Sequence, residues 1–367
     1  MKRKMCIALC LLAGLLLYGC AAGPQNSSLV TPPATTMPVP VTAPPNSAGV
    51  VASQERVEDY FPARENVRFT FEGIGNEYAT YVSQPEFTAG NKLQTRVDNG
   101  GTIISKVYKW ENGKLTRVLT TEEAYVRENL LNAPEKESEV LLAEPLVVGT
   151  AWEAQGGQRS ITGVSVSVTT LTGTYQALEV TTKGAQANTM DYYVKGIGLV
   201  KSVFQPGENE ISSSLAEVKT DTPYLQVVRL YYPGTDGSGR YYREVQLSLP
   251  TNQTLAAAME EAYKVPPGKQ AGSVFPPDAR ILSLGKNDQN ILQLDMNQAF
   301  ALAANANPTY EKAVLSCIAG TFGELYQTDK LLLTVEGKPY QSAHVTLAQG
   351  ETLPVEQTQA QIILDQV

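Results

Sequence analysis

Short runs of alternating polar and apolar residues fill the chain between residues 56 and 218 and limit what that part can fold into. Two of the runs, Thr102–Trp110 and Leu115–Thr120, flank Asn112-Gly113, a pair typical of a two-residue hairpin turn. Because successive side chains of a strand point to opposite faces, this alternation predicts an antiparallel β-rich domain. Glu122–Leu131 is the only segment of this region whose pattern favours a helix.

The pattern changes after this domain, and residues 224–347 predict the order β-β-α-β-β-α-β. Thr251–Lys264 carries apolar residues on one face at helical spacing, and Asn307 followed by Pro308 is typical of the start of a second helix. This order predicts a small sheet layered against two helices, so the chain as a whole is expected to have an α+β fold. Residues 348–367 are interpreted as a C-terminal tail.

The first 19 residues have the pattern of an export signal, because basic residues (Lys2–Lys4) precede an apolar run from Met5 to Leu17. That run is shorter than the roughly 20 apolar residues that a transmembrane helix needs. Leu17-Tyr18-Gly19-Cys20 resembles a bacterial lipobox. The resemblance implies that residues 1–19 are removed and that Cys20 carries a lipid such as palmitate. The alternative is an ordinary cleaved signal followed by a chance cysteine.

Residues 20–55 are rich in Pro, Ser, Thr and Ala and show no periodic apolar pattern. Such a segment has no apolar face to bury, and its prolines favour extended conformations. We therefore predict a tether that separates the membrane from the folded part of the chain.

The net charge and the histidine content exclude several classes of function. The formal net charge is −8, which provides no electrostatic footprint for nucleic acid. The only histidine is His344, and no nucleophile motif accompanies it. Removal of the signal would leave Cys20 and Cys317, and a lipid on Cys20 would leave no partner for an intramolecular disulfide.

The remaining candidates for chemistry have structural interpretations. Cys317 lies on the apolar stripe of the second predicted helix, so we expect a buried, unreactive side chain rather than a nucleophile. The acidic clusters could serve glycan hydrolysis but are interpreted as solvated faces; they are Glu122-Glu123, Glu135/Glu137/Glu139 and Glu260-Glu261. No spacing of Asp, His or Cys indicates a metal site. We predict no catalytic residue, no metal and no cofactor.

Tyrosine is frequent, with 18 residues against 8 Phe and 2 Trp. Tyr231-Tyr232 and Tyr241-Tyr242 would lie on facing strands if residues 234–239 form a hairpin loop, and one Tyr of each pair should then be exposed. An exposed aromatic ring with a polar tip suits contact with proteins or sugars. We predict a partner-binding surface at Tyr231, Tyr232, Tyr241 and Tyr242; the alternative is that these rings simply cover the sheet.

Five stretches in residues 224–347 match a known domain in their order and spacing. They are Val227–Tyr232, the Ala-rich helix before Pro266-Pro267-Gly268, Phe275–Ile281, Leu292–Phe300, and the last helix with Thr321-Phe322 together with the strand Leu333–Lys338. Together they resemble the GerM domain of sporulation and spore germination proteins, which also occurs in other Gram-positive envelope lipoproteins. The resemblance implies a non-catalytic module with a role in envelope assembly during spore formation. It implies nothing about residues 56–218.

Two functions are compatible with these patterns. The first is a non-enzymatic scaffold or binding protein outside the cytoplasm, held on the membrane by a lipid on Cys20 and contacting envelope proteins or peptidoglycan in sporulation or germination. The second is an envelope carrier or glycan hydrolase that uses the β-rich domain, where a curved sheet would hold an apolar or glycan ligand.

Overall fold

A computed structural model describes residues 55–265, 267–287, 289–356 and 360–363. The predicted signal, Cys20 and nearly all of the predicted tether lie outside the described residues. All described residues belong to one compact unit. Among them, no helix is long and apolar enough to span a membrane.

Residues 68–219 form one antiparallel sheet of twelve strands, which confirms the predicted antiparallel β-rich region. The strands follow each other as two six-stranded meanders, which are joined because β1 pairs with β12. The predicted Asn112-Gly113 turn links β4 to β5, and both residues have the positive φ angles that this turn requires. A short helix, α1, precedes the sheet, and the elements are α1 Val57–Tyr60, β1 Arg68–Ile74, β2 Tyr81–Ala89, β3 Lys92–Asp98, β4 Ile103–Glu111, β5 Lys114–Thr121, β6 Glu139–Ala143, β7 Ala151–Ala154, β8 Gly157–Thr170, β9 Gly173–Lys183, β10 Ala187–Val194, β11 Gly198–Pro206 and β12 Ile211–Lys219.

Side chains bridge the two edge strands of this sheet, β6 and β7. The indole Nε1 of Trp152 on β7 donates to the Val140 carbonyl on β6 at 3.0 Å. Arg159, on the neighbouring strand β8, forms an ion pair of 2.8 Å with Glu139 on β6. The sheet therefore curls until its edges meet, and we refer to β1–β12 as the curled sheet.

The segment Glu122–Leu131 is not a helix, so the sequence prediction for it was wrong. Two buried side chains of β3 form hydrogen bonds with the backbone of this segment. Arg96 donates to the Ala124 carbonyl at 2.8 Å, and the Gln94 amide both donates to the Glu128 carbonyl at 2.8 Å and accepts from the Leu130 N–H at 2.7 Å. These bonds replace those that a helix would supply within itself.

The C-terminal part contains two small sheets packed with three helices, which confirms the predicted α+β class. One helix, α3, was not predicted. The segment interpreted as a tail supplies two short strands, β19 and β20, which pair with β17 and β14. The elements are β13 Tyr224–Pro233, β14 Arg240–Leu249, α2 Leu255–Lys264, β15 Ile281–Lys286, β16 Leu292–Met296, α3 Gln298–Ala304, α4 Pro308–Tyr326, β17 Lys330–Val335, β18 Lys338–Pro339, β19 Leu353–Pro354 and β20 Gln361–Ile362.

A buried arginine connects the curled sheet to the C-terminal part. The guanidinium of Arg127 donates to the Leu249 and Pro250 carbonyls at 2.8 Å each and to the Glu86 carbonyl at 2.7 Å. Beside it, Asn66 and Thr251 exchange two hydrogen bonds of 2.8 and 2.9 Å. We call these contacts the Arg127 joint. Burial lowers the pKa of Arg127 to about 10, so the side chain stays charged at neutral pH.

Candidate functional site

The register of the β13–β14 hairpin decides which of the four predicted tyrosines can reach a partner. Tyr231 lies opposite Tyr242, and Tyr232 lies opposite Tyr241, so the predicted hairpin is present. Directly opposed residues of an antiparallel pair share a face of the sheet, and their neighbours in sequence point to the other face. One Tyr of each pair therefore points inward.

Tyr232 and Tyr241 occupy the inner face. Tyr232 is 0% exposed and packs edge-on against Tyr263 at a centroid distance of 5.6 Å. Tyr241 is half-buried against the same core. The prediction of a four-tyrosine surface is corrected in this respect, because burial removes Tyr232 from contact with any partner. Tyr231 and Tyr242 are the two that lie on the outer face.

Charged groups fix the two outer rings in place. The Tyr231 hydroxyl donates to Glu324 on α4 at 2.6 Å. Arg229 bridges Glu244 and Glu324 at 2.9 and 3.0 Å, and its guanidinium lies 4.7 Å from the centroid of the Tyr242 ring. Burial and the hydrogen bond to Glu324 raise the pKa of Tyr231, so the hydroxyl remains a donor at neutral pH. These contacts hold the two aromatic rings in one orientation.

Exposed apolar side chains continue the same face. Leu225 and Val227 alternate with Arg229 along β13 and are 52% and 62% exposed. Ile362 on β20 is paired with Tyr242 and is 52% exposed. We call Leu225, Val227, Arg229, Tyr231, Tyr242 and Ile362 the outer face. Aromatic, Arg and exposed apolar side chains in one patch are typical of the centre of a protein–protein interface.

Helix α4 supports the outer face from the side of β13. Its start is the one predicted: the Asn307 side chain accepts a hydrogen bond from the Tyr310 N–H at 2.9 Å, with Pro308 in the first turn. Thr321 accepts from the Tyr231 N–H at 2.9 Å, and Glu324 follows one turn later. Gly320 leaves room for the Arg240 guanidinium, which an added Cβ would overlap.

The family comparison agrees with this architecture. Residues 229–341, which contain the hairpin, α4 and β17, match the family model described as "Germane: Sporulation and spore germination". This segment is a Germane domain. The family resemblance seen in the sequence is confirmed for this part of the chain. No match to a curated protein was found.

Solved structures are similar at low identity. The first GerMN domain of the sporulation protein GerM from Bacillus subtilis is 16% identical and has a TM-score of 0.27, with 35% of this chain and 97% of that chain covered. The tandem GerMN domains of the same protein give 14% identity and a TM-score of 0.26, with 36% of this chain covered; this chain spans 46% of their length. A Bacteroides fragilis protein described as exported, with a YmcC-like fold, gives 12% identity and a TM-score of 0.28, with 44% and 99% covered. These scores are low, and the family match carries the identification.

Cys317 lies in the core of the Germane domain. Its side chain is 2% exposed, and burial raises the pKa of its thiol to about 12, against a weaker opposing effect of Arg240. A thiol in this environment is protonated at neutral pH and is a poor nucleophile.

His344 is held by a buried carboxylate that sequence reasoning missed. Its Nδ1 lies 3.0 Å from Glu311 in the first turn of α4, and the Tyr340 hydroxyl donates to the other oxygen of Glu311 at 2.6 Å. Glu311 is 0% exposed. Burial alone would raise the pKa of Glu311, but hydrogen bonds from Ser342, Tyr340 and His344 outweigh burial and lower it. The only signal in the sequence was an acidic residue beside a helix N-terminus.

The acidic clusters are dispersed among separate partners. Glu122 and Glu123 are exposed, and so is Glu261 on α2. The others form ion pairs: Glu135 with Lys92 and Lys109, Glu137 with Arg117, Glu139 with Arg159, and Glu260 with Lys264 and Arg280. Among the described residues, no group of three or more His, Cys, Asp or Glu could hold a metal ion.

Proposed function

We propose that this chain is a lipid-anchored protein outside the cytoplasm that acts as a non-catalytic scaffold or binding protein of the cell envelope in sporulation or spore germination. The observation that carries the proposal is the Germane match over residues 229–341. In this proposal the chain comprises a signal (1–19), a tether (20–55), a β-rich domain (56–218), the Germane domain (224–347) and a C-terminal segment (348–367).

Deletion of the gene tests the sporulation role. We expect fewer heat-resistant spores or slower germination, and restoration by the wild-type gene. Normal counts and normal germination in the deletion strain would contradict the proposal.

The membrane anchor rests on the lipobox-like sequence at Cys20. Metabolic labelling with a palmitate analogue is expected to mark the wild-type protein and not Cys20→Ala. Cys6 and Cys10 lie in the signal that cleavage removes and Cys317 is buried, so the label on the processed protein should depend on Cys20. Equal labelling of the two proteins would refute the anchor without touching the Germane assignment.

We assign partner binding to the outer face and propose an envelope protein as the partner, because its aromatic rings, arginine and apolar side chains are types enriched in protein interfaces. A photo-crosslinking residue at Val227 should give a discrete protein adduct in sporulating cells. The same residue at Leu171, which is 66% exposed but lies between β8 and β9, is the control.

Variants of Tyr242 test whether the aromatic ring that Arg229 contacts is needed for this binding. The adduct at Val227 should be lost in Tyr242→Ala and kept in Tyr242→Phe, which retains the ring. Identical adducts at Val227 and Leu171 would show that the outer face has no specific role. Co-sedimentation with purified peptidoglycan in place of a protein adduct would reassign the partner.

A further inference from the structure

The curled sheet forms a half-open cavity of about 480 Å³. Alternate residues of the strands line it, as on β4, where Ile104, Lys106 and Tyr108 face the cavity. On β3 the lining residues are again two apart: Leu93, Thr95, Val97. The volume lies within the range of roughly 300–1,000 Å³ found for small-molecule sites.

Much of the lining is apolar and aromatic. The rings of Phe71 and Tyr81 stack at a centroid distance of 4.5 Å and an angle of 17°, which presents a flat wall. Further aromatic side chains that line the cavity are Phe61, Phe69, Tyr78, Tyr108 and Tyr193. Such a wall favours the aliphatic or aromatic body of a ligand.

The charged side chains in the lining are not balanced. Four basic residues face the cavity, Arg64, Lys106, Arg117 and Arg159, against two acidic ones, Glu139 and Asp191. Arg117 and Arg159 already have carboxylate partners, with Arg117 to Glu137 at 3.1 Å and Arg159 to Glu139 at 2.8 Å. The basic lining residues without a carboxylate partner are therefore Arg64 and Lys106.

Lys106 is the more enclosed of these two. No described residue forms an ion pair or a hydrogen bond with its ammonium group. Burial lowers the pKa of Lys106, and the charge of Arg117 lowers it further, while Glu137 acts weakly in the opposite direction. A half-buried charge without an ion-pair partner is less favourable than one in water, and an anion beside it offsets that penalty.

Asp191 is the lining carboxyl group without an ion-pair partner among the described residues. Burial raises the pKa of its carboxyl group, against smaller opposing effects of Ser202 and Arg159. The Ser202 hydroxyl donates to Asp191 at 2.6 Å, so one of its carboxyl oxygens is already occupied by a hydrogen bond.

We propose that the cavity of the curled sheet binds a small amphipathic anion, with its carboxylate or phosphate group against Lys106 and its apolar body against the aromatic wall. This site is separate from the outer face of the Germane domain, and the proposal does not depend on partner binding at that face. It gives the β-rich region a role as a carrier or sensor of such a molecule.

A series of ten-carbon probes tests the proposal on the chain from residue 20 onward with Cys20→Ser, which contains the whole compact unit and carries no lipid. Decanoate, decyl phosphate, decanol and decyltrimethylammonium are titrated against the wild-type cavity by calorimetry. At least one anionic probe should bind about tenfold or more tightly than decanol, as expected for a charge-assisted hydrogen bond. The carboxylate and phosphate arms identify the preferred head group.

Variants at Lys106 separate binding from folding. Lys106→Met should weaken the preferred anion about tenfold and leave decanol unchanged, and Lys106→Arg should retain the anion. Lys109→Met is the matched control, because Lys109 lies on the same strand but pairs with Glu111 and Glu135. Equal or tighter binding of decanol or decyltrimethylammonium by the wild-type chain, an absence of binding by all four probes, or an unchanged anion affinity in Lys106→Met would each overturn the proposal.

Discussion

The curled sheet and the Germane domain use their interiors differently. In the Germane domain one continuous cluster of buried residues fills the space, and five aromatic rings contact each other in series through it: Tyr232, Tyr263, Phe275, Phe300 and Tyr340. In the curled sheet the buried apolar residues fall into three smaller clusters, and a cavity lined partly by charged side chains lies inside the sheet.

This difference indicates a division of roles. A filled core gains dispersion contacts on every side, whereas side chains that line a cavity lose them. The Germane domain is therefore expected to be the more stable region and to present a rigid outer face. The curled sheet keeps space at the expense of packing, which is useful when that space holds a ligand.

Removal of an aromatic ring from each region gives the largest expected contrast. Phe300→Ala should reduce the free energy of unfolding by about 3–5 kcal/mol, because the 0% exposed ring fills a closed core. Phe69→Ala, at the cavity wall, should reduce it by about 1 kcal/mol, because open space already adjoins the half-buried ring. Urea unfolding of both variants measures the difference, and equal losses would contradict the contrast between the two interiors.

The Arg127 joint is expected to make the two regions unfold together. Arg127→Met removes three hydrogen bonds, although the Glu86 and Pro250 carbonyls each keep one other donor, the Asn252 and Gln253 N–H groups, so we expect a loss of about 2 kcal/mol. Circular dichroism and tryptophan fluorescence should then give separate transitions, since the described part of the Germane domain has no Trp. Arg68→Met, at an exposed position, is the control and should change the stability by no more than about 0.5 kcal/mol. A single shared transition in Arg127→Met would show that other contacts couple the regions.

The Glu311 carboxylate makes part of the Germane stability dependent on pH. Its folded-state pKa lies below the ordinary 4.5, so its contribution is complete above about pH 4.5 and is lost as the pH falls through the folded-state value. Glu311→Gln should cost about 1.5 kcal/mol at pH 7, since the buried group accepts hydrogen bonds from Tyr340 and His344. The difference from wild type should shrink at pH 3. A difference that stays constant between the two pH values would exclude a role for the charge.

The smallest effect is expected at Cys317. A thiol with a pKa of about 12 should not react with a maleimide at pH 8 while the Germane domain is folded, and should react fully in urea. Val227→Cys, at a 62% exposed position, should react at once in the same Cys20→Ser background. Rapid labelling of native Cys317 would show that the core opens more readily than the packing indicates.

Local patterns predicted much of this fold. The Asn112-Gly113 turn, the hairpin that pairs Tyr231 with Tyr242, and the Asn307 cap of α4 each depend on residues close together in the sequence. At these positions the conformational propensity of a few neighbouring residues agrees with the final structure, so the local sequence is sufficient to predict each feature.

Long-range contacts account for what was missed. Glu122–Leu131 has a helical pattern, but its backbone forms hydrogen bonds with the side chains of Gln94 and Arg96 on β3. The burial of Tyr232, the carboxylate Glu311 behind His344 and the unpaired state of Lys106 likewise depend on neighbours that are distant in sequence. The periodicity of a sequence indicates which face of a helix or strand is apolar. It does not indicate which residues from elsewhere in the chain pack against that face.

The pairing of β1 with β12 has a mechanical consequence. Arg68 and Lys219 lie opposite each other at one end of this strand pair. A pull applied at Arg68 and Lys219 would therefore separate β1 from β12 one hydrogen bond at a time. Asn66 lies just before this point and bonds to Thr251 and to the Thr222 N–H. A pull on the segment before α1 would meet the curled sheet first, because Val57 is buried there and its N–H donates to Glu144 at 3.0 Å. Only after α1 detaches would the force reach the Asn66–Thr251 contact with the Germane domain.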